Sequence, residues 1–187
     1  KGSDGYIFIK ANAMTERSII DKLAEASRAG VRVDLMLRGI CCLLPGIPGH
    51  TENVHVTSIV GRYLEHARIY WFGKGEEARI FLSSADMMSR NLKRRVEIAC
   101  PVQDPELRKM VRKIVETQQK DNVKASFMLS DGTYQRKAGG GLPVDSQTVF
   151  MEKSLHTGSQ IEESPEDIPV RRARLVKAFQ KLFVHRK

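Results

Sequence analysis

VRVDLMLRG, residues 31–39, has the alternation of a β-strand that stops at a glycine turn. The β-branched and aromatic run at residues 6–9 predicts an earlier, buried strand. Between the two, apolar residues at positions 19, 20, 23 and 26 recur at helical spacing, with Thr15 as the expected N-cap. A strand, a helix and a strand in this order predict a parallel pair joined by a right-handed crossover.

The rest of the first 134 residues continues this succession of strands and helices. Further strands are predicted at residues 54–60, 69–72, 78–83 and 97–100, and an amphipathic helix follows Asp104-Pro105. The pattern indicates the α/β class, in which helices pack on a sheet. We therefore expect one domain over residues 1–134.

The character of the sequence changes after residue 134. Gly139-Gly140-Gly141 and the polar stretch 154–169 contain few large apolar residues and are typical of linkers. Residues 171–184 place Leu175, Val176 and Phe179 on one face among Arg and Lys, which predicts a basic amphipathic helix. Residues 135–187 are therefore interpreted as a linker-like tail that contains this helix.

The composition is that of a globular protein with an excess of basic residues. Of the 187 residues, 41% are hydrophobic, and Lys and Arg outnumber Asp and Glu by 31 to 22, which gives a net charge of +9. Such a charge favours polyanionic partners, such as nucleotides, polyphosphate or nucleic acid. The odd number of cysteines argues against a disulfide framework, so Cys41, Cys42 and Cys100 are interpreted as reduced, largely buried thiols of a cytosolic protein.

No stretch approaches the roughly 20 apolar residues of a membrane span, and no N-terminal signal pattern is present. The sequence leads from Lys1 almost at once into the first strand, without an initiator Met, so we expect a fragment of a longer polypeptide. These observations predict a cytoplasmic location, with peripheral membrane association as the alternative.

Two segments carry the residues best suited to phosphate chemistry. On a strand starting near His66, period-two alternation puts His66, Arg68 and Tyr70 on one face. An imidazole exchanges hydrogen bonds with a phosphate, and a guanidinium fork matches its oxygen atoms. If this strand and the strand at residues 78–83 are neighbours, Ser84 and Asp86 come near His66. The alternative is that His66 has a purely structural role.

Arg38 is a further candidate for a binding residue. In open parallel sheets, ligands bind beyond the carboxyl ends of the strands, and Arg38 follows the strand at residues 31–37. A surface arginine beside a turn is the alternative interpretation.

The pair His66-x-Arg68 and the later turn Ser83-Ser84-Ala85-Asp86 resemble the half-motif of the phospholipase D superfamily. The usual form there is His-x-Lys followed by Gly-Ser-x-Asn, so this sequence departs from it at Arg68, Ser83 and Asp86. These departures point to one branch of the superfamily. Residues 31–46, 58–66 and 82–97, in this order, are similar to polyphosphate kinase, and the similarity covers residues 6–134.

The resemblance implies a phospholipase-D-like domain, with a mixed sheet flanked by helices. It also implies a reaction in which the terminal phosphate of ATP passes to polyphosphate, and back to ADP, through a phosphohistidine and with magnesium. The family's catalytic core has two such domains, and this chain resembles the second. The phosphate-accepting histidine belongs to the preceding domain. The magnesium contacts and adenine-stacking residues also lie upstream by this resemblance, so no metal ligand is predicted in this chain.

The same resemblance assigns roles within this half of the site. His66 is the expected catalytic residue, which contacts the nucleotide phosphates and assists proton transfer or charge stabilisation. Arg38 matches a nucleotide-binding arginine. We expect Arg68, Ser84 and Asp86 to complete the set of nucleotide- and phosphate-binding residues.

Arg90 and Lys93 follow the Ser-Ser-Ala-Asp turn closely, and we expect them to line the path of polyphosphate, with a solvated basic face as the alternative. The expected partners are ATP, polyphosphate, the upstream domains of the same polypeptide and, in the intact enzyme, further copies in a homo-oligomer. No DNA partner is expected. The aromatic content is 6%, and the basic cluster lacks the interleaved aromatic residues that stack on bases.

Two other functions remain open from the sequence. The chain could be a phospholipase-D-type phosphodiesterase or nuclease, in which His66 is the nucleophile or the acid, or a polyanion-binding module that uses its charge alone. We also expect the isolated chain to be inactive, because half of a two-domain site cannot align a donor with an acceptor.

Overall fold

The computed structural model describes residues 2–137 and 141–158. The strands are β1 Tyr6–Ala11, β2 Arg32–Leu37, β3 Val54–Ile59, β4 Ile69–Phe72, β5 Arg79–Ser83, β6 Ala99–Pro101, β7 Ala125–Met128 and β8 Tyr134–Arg136. The α-helices are α1 Arg17–Arg28, α2 Ser89–Lys93, α3 Pro105–Gln119 and α4 Ser146–Gly158.

The strands form one mixed sheet in the order β6-β5-β4-β1-β2-β3-β7-β8. Its centre is parallel, because β2 pairs in parallel with both β1 and β3. The flanking strands all pair antiparallel, β4 with β1 on one side and β7 with β3 on the other. The mixed sheet predicted from the sequence is therefore confirmed.

Both faces of the central strands are buried, each under one long helix. One apolar cluster packs Ile9 and Leu35 with Leu23 of α1. The other packs Phe8 with Val111 and Val115 of α3. Neighbouring residues of β1 thus enter opposite cores, as the period-two geometry of a strand requires. The predicted flanking helices are confirmed by this packing.

The strand register brings several chain segments together at one edge of the sheet, the edge formed by the ends of the strands β1 and β2. Ala11 at the end of β1 pairs with Leu37 at the end of β2. Because β4 runs antiparallel to β1, its first residue, Ile69, pairs with Lys10 and also with Leu82 near the end of β5. The segments after β1, β2 and β5 and the segment before β4 therefore meet at this edge.

The beginning of α1 differs from the prediction, whereas α3 agrees with it. Thr15 does not cap α1, because its backbone N–H donates to Met87 O and the N-cap is Glu16, whose side chain makes no capping bond. In α3, Asp104 accepts a hydrogen bond from Leu107 N at 2.9 Å, and Pro105 is the first helical residue. The contact of Thr15 joins residues far apart in sequence, so a local pattern does not reveal it.

The cysteines are less buried than expected. Cys41 is half-buried, while Cys42 and Cys100 are exposed, and all three are free thiols. The expectation of burial is wrong for Cys42 and Cys100, because Cys42 lies in the loop after β2 and Cys100 on the edge strand β6.

The compact part of the chain extends past the boundary placed at residue 134. Strand β8 joins the sheet, and Ser146 donates to the buried Asp121 carboxylate from its backbone N–H and its hydroxyl, at 2.8 and 2.7 Å. One compact unit therefore ends at Val149, and a second begins at Phe150. All residues of β8 are exposed, so the sequence shows no apolar alternation there. The helix predicted at residues 171–184 lies outside the described residues.

The Asp121 carboxylate ties the start of α4 to the end of α3. One oxygen accepts from the backbone N–H groups of Val123, Lys124 and Ala125, and the other accepts from Ser146. Burial alone would raise the pKa of Asp121, but these hydrogen bonds outweigh it and hold the pKa below its usual range.

Asp121→Asn tests this tie between the two helices. Either orientation of the new amide turns its NH₂ group toward backbone N–H donors, so we expect the free energy of unfolding to fall by about 1–3 kcal/mol. Urea denaturation measures the change. The control Asp21→Asn alters an exposed carboxylate and should stay within about 0.5 kcal/mol of the parent. Equal midpoints for both variants would contradict the assignment.

Candidate functional site

A buried carboxylate, Asp86, lies at the edge where these segments meet. Asp86 is 3% exposed. It accepts hydrogen bonds from the backbone N–H of Asn12 at 2.7 Å and from the Asn12 amide at 2.9 and 3.0 Å. Arg68 donates to both its oxygens, from Nε at 3.2 Å and from Nη2 at 3.1 Å. Asp86 therefore fixes a guanidinium and an amide at once.

Arg38 joins the same network through Asn12. Its Nε donates to Asn12 Oδ1 at 2.6 Å. This contact leaves the two terminal nitrogen atoms of Arg38 without a protein partner among the residues described. Asp86 and Asn12 thus orient two guanidinium groups at the sheet edge.

His66 lies at the other end of the network. Arg68 Nη1 is 3.1 Å from His66 Nδ1 and donates to His66 O at 3.0 Å. Because a guanidinium only donates, Nδ1 must accept in this contact, so the neutral ring carries its proton on Nε2. The ring itself is exposed. One hydrogen-bonded chain therefore runs from Arg38 through Asn12, Asp86 and Arg68 to His66.

The strand that was expected to begin near His66 begins at Ile69 instead. His66 and Arg68 come together through a loop contact and not through strand alternation. Tyr70 does not share their surface, because it is buried in the apolar cluster under α1. Its hydroxyl donates to Ala85 O, beside Asp86, and burial raises the pKa of this phenol.

The network from Arg38 to His66 contains two arginines and one carboxylate. Burial alone would raise the pKa of Asp86, but hydrogen bonds from Arg68 and Asn12 outweigh it and hold the pKa below its usual range. Asp86 is therefore ionised at neutral pH and balances one of the two arginines. The other positive charge remains available to an anion.

The structure does not bring the Ser84 side chain into this network. Its hydroxyl donates to Glu97 and accepts from Ile98 N at 3.0 Å. These contacts pin the turn after β5 to the segment before β6. Ser84 thus supports the turn that presents Asp86, while its predicted phosphate contact stays a prediction.

Arg90 and Lys93 lie on the short helix α2, and both are exposed. Lys93 Nζ is 2.7 Å from Glu16 Oε1. Hydrogen bonds from Lys93, Ser89 and Ser18 lower the pKa of Glu16 to about 2. Glu16 thus offsets the charge of Lys93, whereas no ion pair to Arg90 occurs in the described part of the chain.

The sequence-based prediction missed the contacts of Glu65, the residue that precedes His66. Glu65 accepts from Lys10 Nζ, Gln118 Nε2 and Gln147 Nε2, each at 2.8 Å. Lys10 is almost fully buried on β1, between two apolar residues. A lysine inside an apolar strand indicates a buried charge that needs a partner, so the sequence did contain a signal for this pair. It contained none for Gln118 or Gln147.

The described residues do not supply a magnesium site. No group of three or more His, Cys, Asp or Glu side chains within residues 2–137 and 141–158 could hold a metal ion. Asp86, the carboxylate nearest the arginines, already accepts from Asn12 and Arg68 at both oxygens. The described residues therefore do not have the arrangement of free carboxylates that a magnesium ion would need.

A cavity of about 1090 Å³ opens elsewhere, near the start of β1 and β2. Tyr6, Asp34 and Trp71 are among its lining residues. None of the predicted site residues lines it. The Arg38 to His66 network therefore lies outside this cavity.

Within the described ranges, no helix has the length and apolar character needed to cross a bilayer.

Comparison with known proteins identifies the family. The family model for the polyphosphate kinase C-terminal domain 2 matches residues 1–147. Polyphosphate kinase of Staphylococcus haemolyticus is 44% identical over 170 residues, which cover 89% of this chain and 24% of the relative. Polyphosphate kinase of Pseudomonas aeruginosa is 47% identical over 154 residues, covering 81% of this chain and 22% of the relative.

A solved structure agrees with the sequence comparison. The crystal structure of polyphosphate kinase from Porphyromonas gingivalis matches with a TM-score of 0.76 and 41% identity, over 82% of this chain and 24% of that chain. This chain therefore belongs to the polyphosphate kinase family and corresponds to its C-terminal domain 2. It spans about a quarter of the length of the curated relatives it matches.

The lowered pKa of Asp86 predicts how stability depends on pH. Because the folded pKa lies below the unfolded value of about 3.9, the ionised carboxylate stabilises the fold above that value and loses this effect as the pH falls through the folded pKa. Asp86→Asn should therefore be less stable than the parent by a constant amount above about pH 5, and the gap should narrow below about pH 4.

Urea midpoints measured between pH 7 and pH 2.5 provide the check. Asp21→Asn, at an exposed position, is the matched control and should follow the parent at every pH. A gap between Asp86→Asn and the parent that does not change with pH would contradict the ionised assignment.

Proposed function

We propose that this chain is the C-terminal part of a polyphosphate kinase that transfers the terminal phosphate of ATP to polyphosphate and back to ADP. Membership of the family supports the proposal. The hydrogen-bonded network from Arg38 to His66 is the observation that carries it. It presents two guanidinium groups and one exposed imidazole at a single sheet edge.

The proposed work of this half is to neutralise charge and to position phosphate. Phosphoryl transfer spreads negative charge over the equatorial oxygen atoms, and catalysis consists largely of stabilising that charge in an aligned geometry. Arg38 has its terminal nitrogen atoms available for phosphate oxygen atoms. Arg68 fixes Nδ1 of His66, so the Nε2–H group of His66 donates to a phosphate oxygen.

The phosphate-accepting histidine, the magnesium ligands and the adenine contacts are proposed to come from upstream domains. The chain covers about a quarter of its relatives, which leaves room for such domains. Large apolar side chains within two residues of Arg38 and His66 in the sequence are also exposed: Ile40 is 65% exposed and Leu64 69%. We propose that they pack against an upstream domain.

The phosphodiesterase alternative receives less support from the geometry. A histidine nucleophile attacks through an unprotonated ring nitrogen. In this structure, Nδ1 of His66 is engaged by Arg68 and the proton resides on Nε2, so neither nitrogen is free to attack. The geometry therefore argues against His66 as a nucleophile, whereas donation from Nε2–H serves a kinase half-site and a phosphodiesterase acid alike.

Arg38→Ala and His66→Ala test the proposed function in the full polypeptide that contains this chain. Loss of one preorganised donor to the transferred phosphate should lower kcat by about 10²–10³-fold. Incorporation of labelled γ-phosphate from ATP into acid-insoluble polyphosphate measures the rate. Arg28→Ala and His50→Ala remove exposed residues of the same types and should leave the rate unchanged.

The isolated chain serves as a further control, and we expect no synthesis from it. Unchanged rates in Arg38→Ala and His66→Ala would refute the proposed function. Hydrolysis of a phosphodiester that depends on His66 would instead favour the phosphodiesterase.

Arg90 and Lys93 are proposed to line the path of the polyphosphate chain. Arg90→Ala should weaken binding of long-chain polyphosphate about fivefold, because one exposed charge pair contributes at most about 1 kcal/mol. Lys93→Ala should have a smaller effect, because Glu16 already pairs with Lys93. Calorimetric titration with long-chain polyphosphate and with ATP measures both affinities. Equal losses for the two ligands would reject the path.

A further inference from the structure

The loop between β3 and β4, residues 60–68, carries His66 and contains no helix or strand. A catalytic side chain on such a loop requires contacts that hold the loop in place. Arg68, anchored on Asp86, fixes one side of His66. The other side depends on Glu65, the residue that precedes His66.

Glu65 is held by a buried cluster that we call the Glu65 clamp, made of Lys10, Glu65, Gln118 and Gln147. The side chains of Lys10 and Glu65 are only 3% and 12% exposed, and they form an ion pair at 2.8 Å. Gln118 donates to one oxygen of Glu65 and Gln147 donates to the other. Both carboxylate oxygens are therefore engaged, which leaves Glu65 little freedom to rotate.

Gln147 also holds the backbone of the loop. Tyr63 N donates to Gln147 Oε1 at 2.9 Å, and Gln147 Nε2 donates to Tyr63 O at 2.8 Å. One side chain thus satisfies both backbone groups of Tyr63, as a neighbouring strand would. Gln147 is itself 6% exposed, so water competes little for these bonds.

We propose that Gln147 is a positioning residue that acts through the Glu65 clamp to fix the orientation of His66. The inference rests on the proposed function of His66. It gives the segment after residue 134, predicted to be a linker-like tail, a part in the site. Gln147 does not touch the reacting phosphate and acts through Tyr63 and Glu65.

Gly61 provides an independent way to disturb the same contact. A Cβ atom at Gly61 would lie 2.5 Å from Gln147 Oε1 and 3.1 Å from Gln147 Cδ. The backbone of Gly61 is outside the left-handed region, so alanine is conformationally allowed there. Gly61→Ala would therefore displace the end of the Gln147 side chain without removing its amide.

Gln147→Met and Gly61→Ala test the proposal in the full polypeptide. A small displacement of an aligned catalytic group lowers the rate strongly, so kcat for polyphosphate synthesis should fall about tenfold or more, while KM for ATP changes less. Thr148→Ala, at the next, exposed position, should leave both values unchanged. Cooperative thermal melting of every variant shows that the fold is retained.

A second readout follows the His66 ring directly in the present chain. Long-range ¹H–¹⁵N spectra should show a single tautomer protonated at Nε2 in the parent and in Thr148→Ala, because Arg68 occupies Nδ1. Gln147→Met and Gly61→Ala should show a mixture of tautomers. A variant that is only less stable would keep the single tautomer below its melting temperature.

The outcomes separate the clamp from the function on which it rests. If His66→Ala abolishes synthesis while both clamp variants keep the parent kcat and the single tautomer, the positioning role is refuted and the function stands. If His66→Ala is fully active, the function fails, and the tautomer measurement still decides whether the clamp orients the ring.

Discussion

The organisation of the sheet edge depends on the buried, ionised carboxylate of Asp86. A buried charge is costly unless it is paired and fully hydrogen-bonded, so Asp86 must be surrounded by donors. The donors are Arg68, which precedes β4, and Asn12, which follows β1. Because Arg38 in turn donates to Asn12, the needs of one carboxylate fix the positions of three side chains from three segments.

This arrangement explains how an exposed histidine can also be well oriented. His66 is exposed to solvent, yet the two residues that hold it, Arg68 and Glu65, each belong to a buried ion pair. On one side Arg68 pairs with Asp86, and on the other Glu65 pairs with Lys10. Exposed ion pairs contribute little to stability and less to rigidity, whereas these two pairs are shielded from water. The surface around the ring is therefore open to solvent, while the ion pairs that orient the ring lie in the interior.

Buried polar contacts also hold the end of the compact unit in place. Because Gly139-Gly140-Gly141 interrupts the residues that follow β8, the sequence pattern predicts a linker there. Polar contacts nevertheless attach them firmly, through the buried Asp121 and through Gln147. The match to the family extends to residue 147, in agreement with a compact unit that ends at Val149. Hydrogen bonds to buried acceptors thus set a boundary that apolar patterning does not show.

The sequence by itself determined the α/β class, the mixed sheet, the family and most helices and strands to within a few residues. Apolar periodicity is local, and β4 or α3 can be recognised from adjacent residues alone. The motif around His66 and Asp86 is also local, so the sequence alone makes these residues candidates for the site. Only the tertiary structure decided that Arg68 meets His66 through a loop and that Ser84 turns toward Glu97. It also decided that Lys10 pairs with Glu65 and that Gln147 binds the backbone of Tyr63. The physical reason is that each of these contacts satisfies a charge or a backbone group with a partner chosen by chain folding. Gln147 and Tyr63, for example, are 84 positions apart, and no periodic pattern links them.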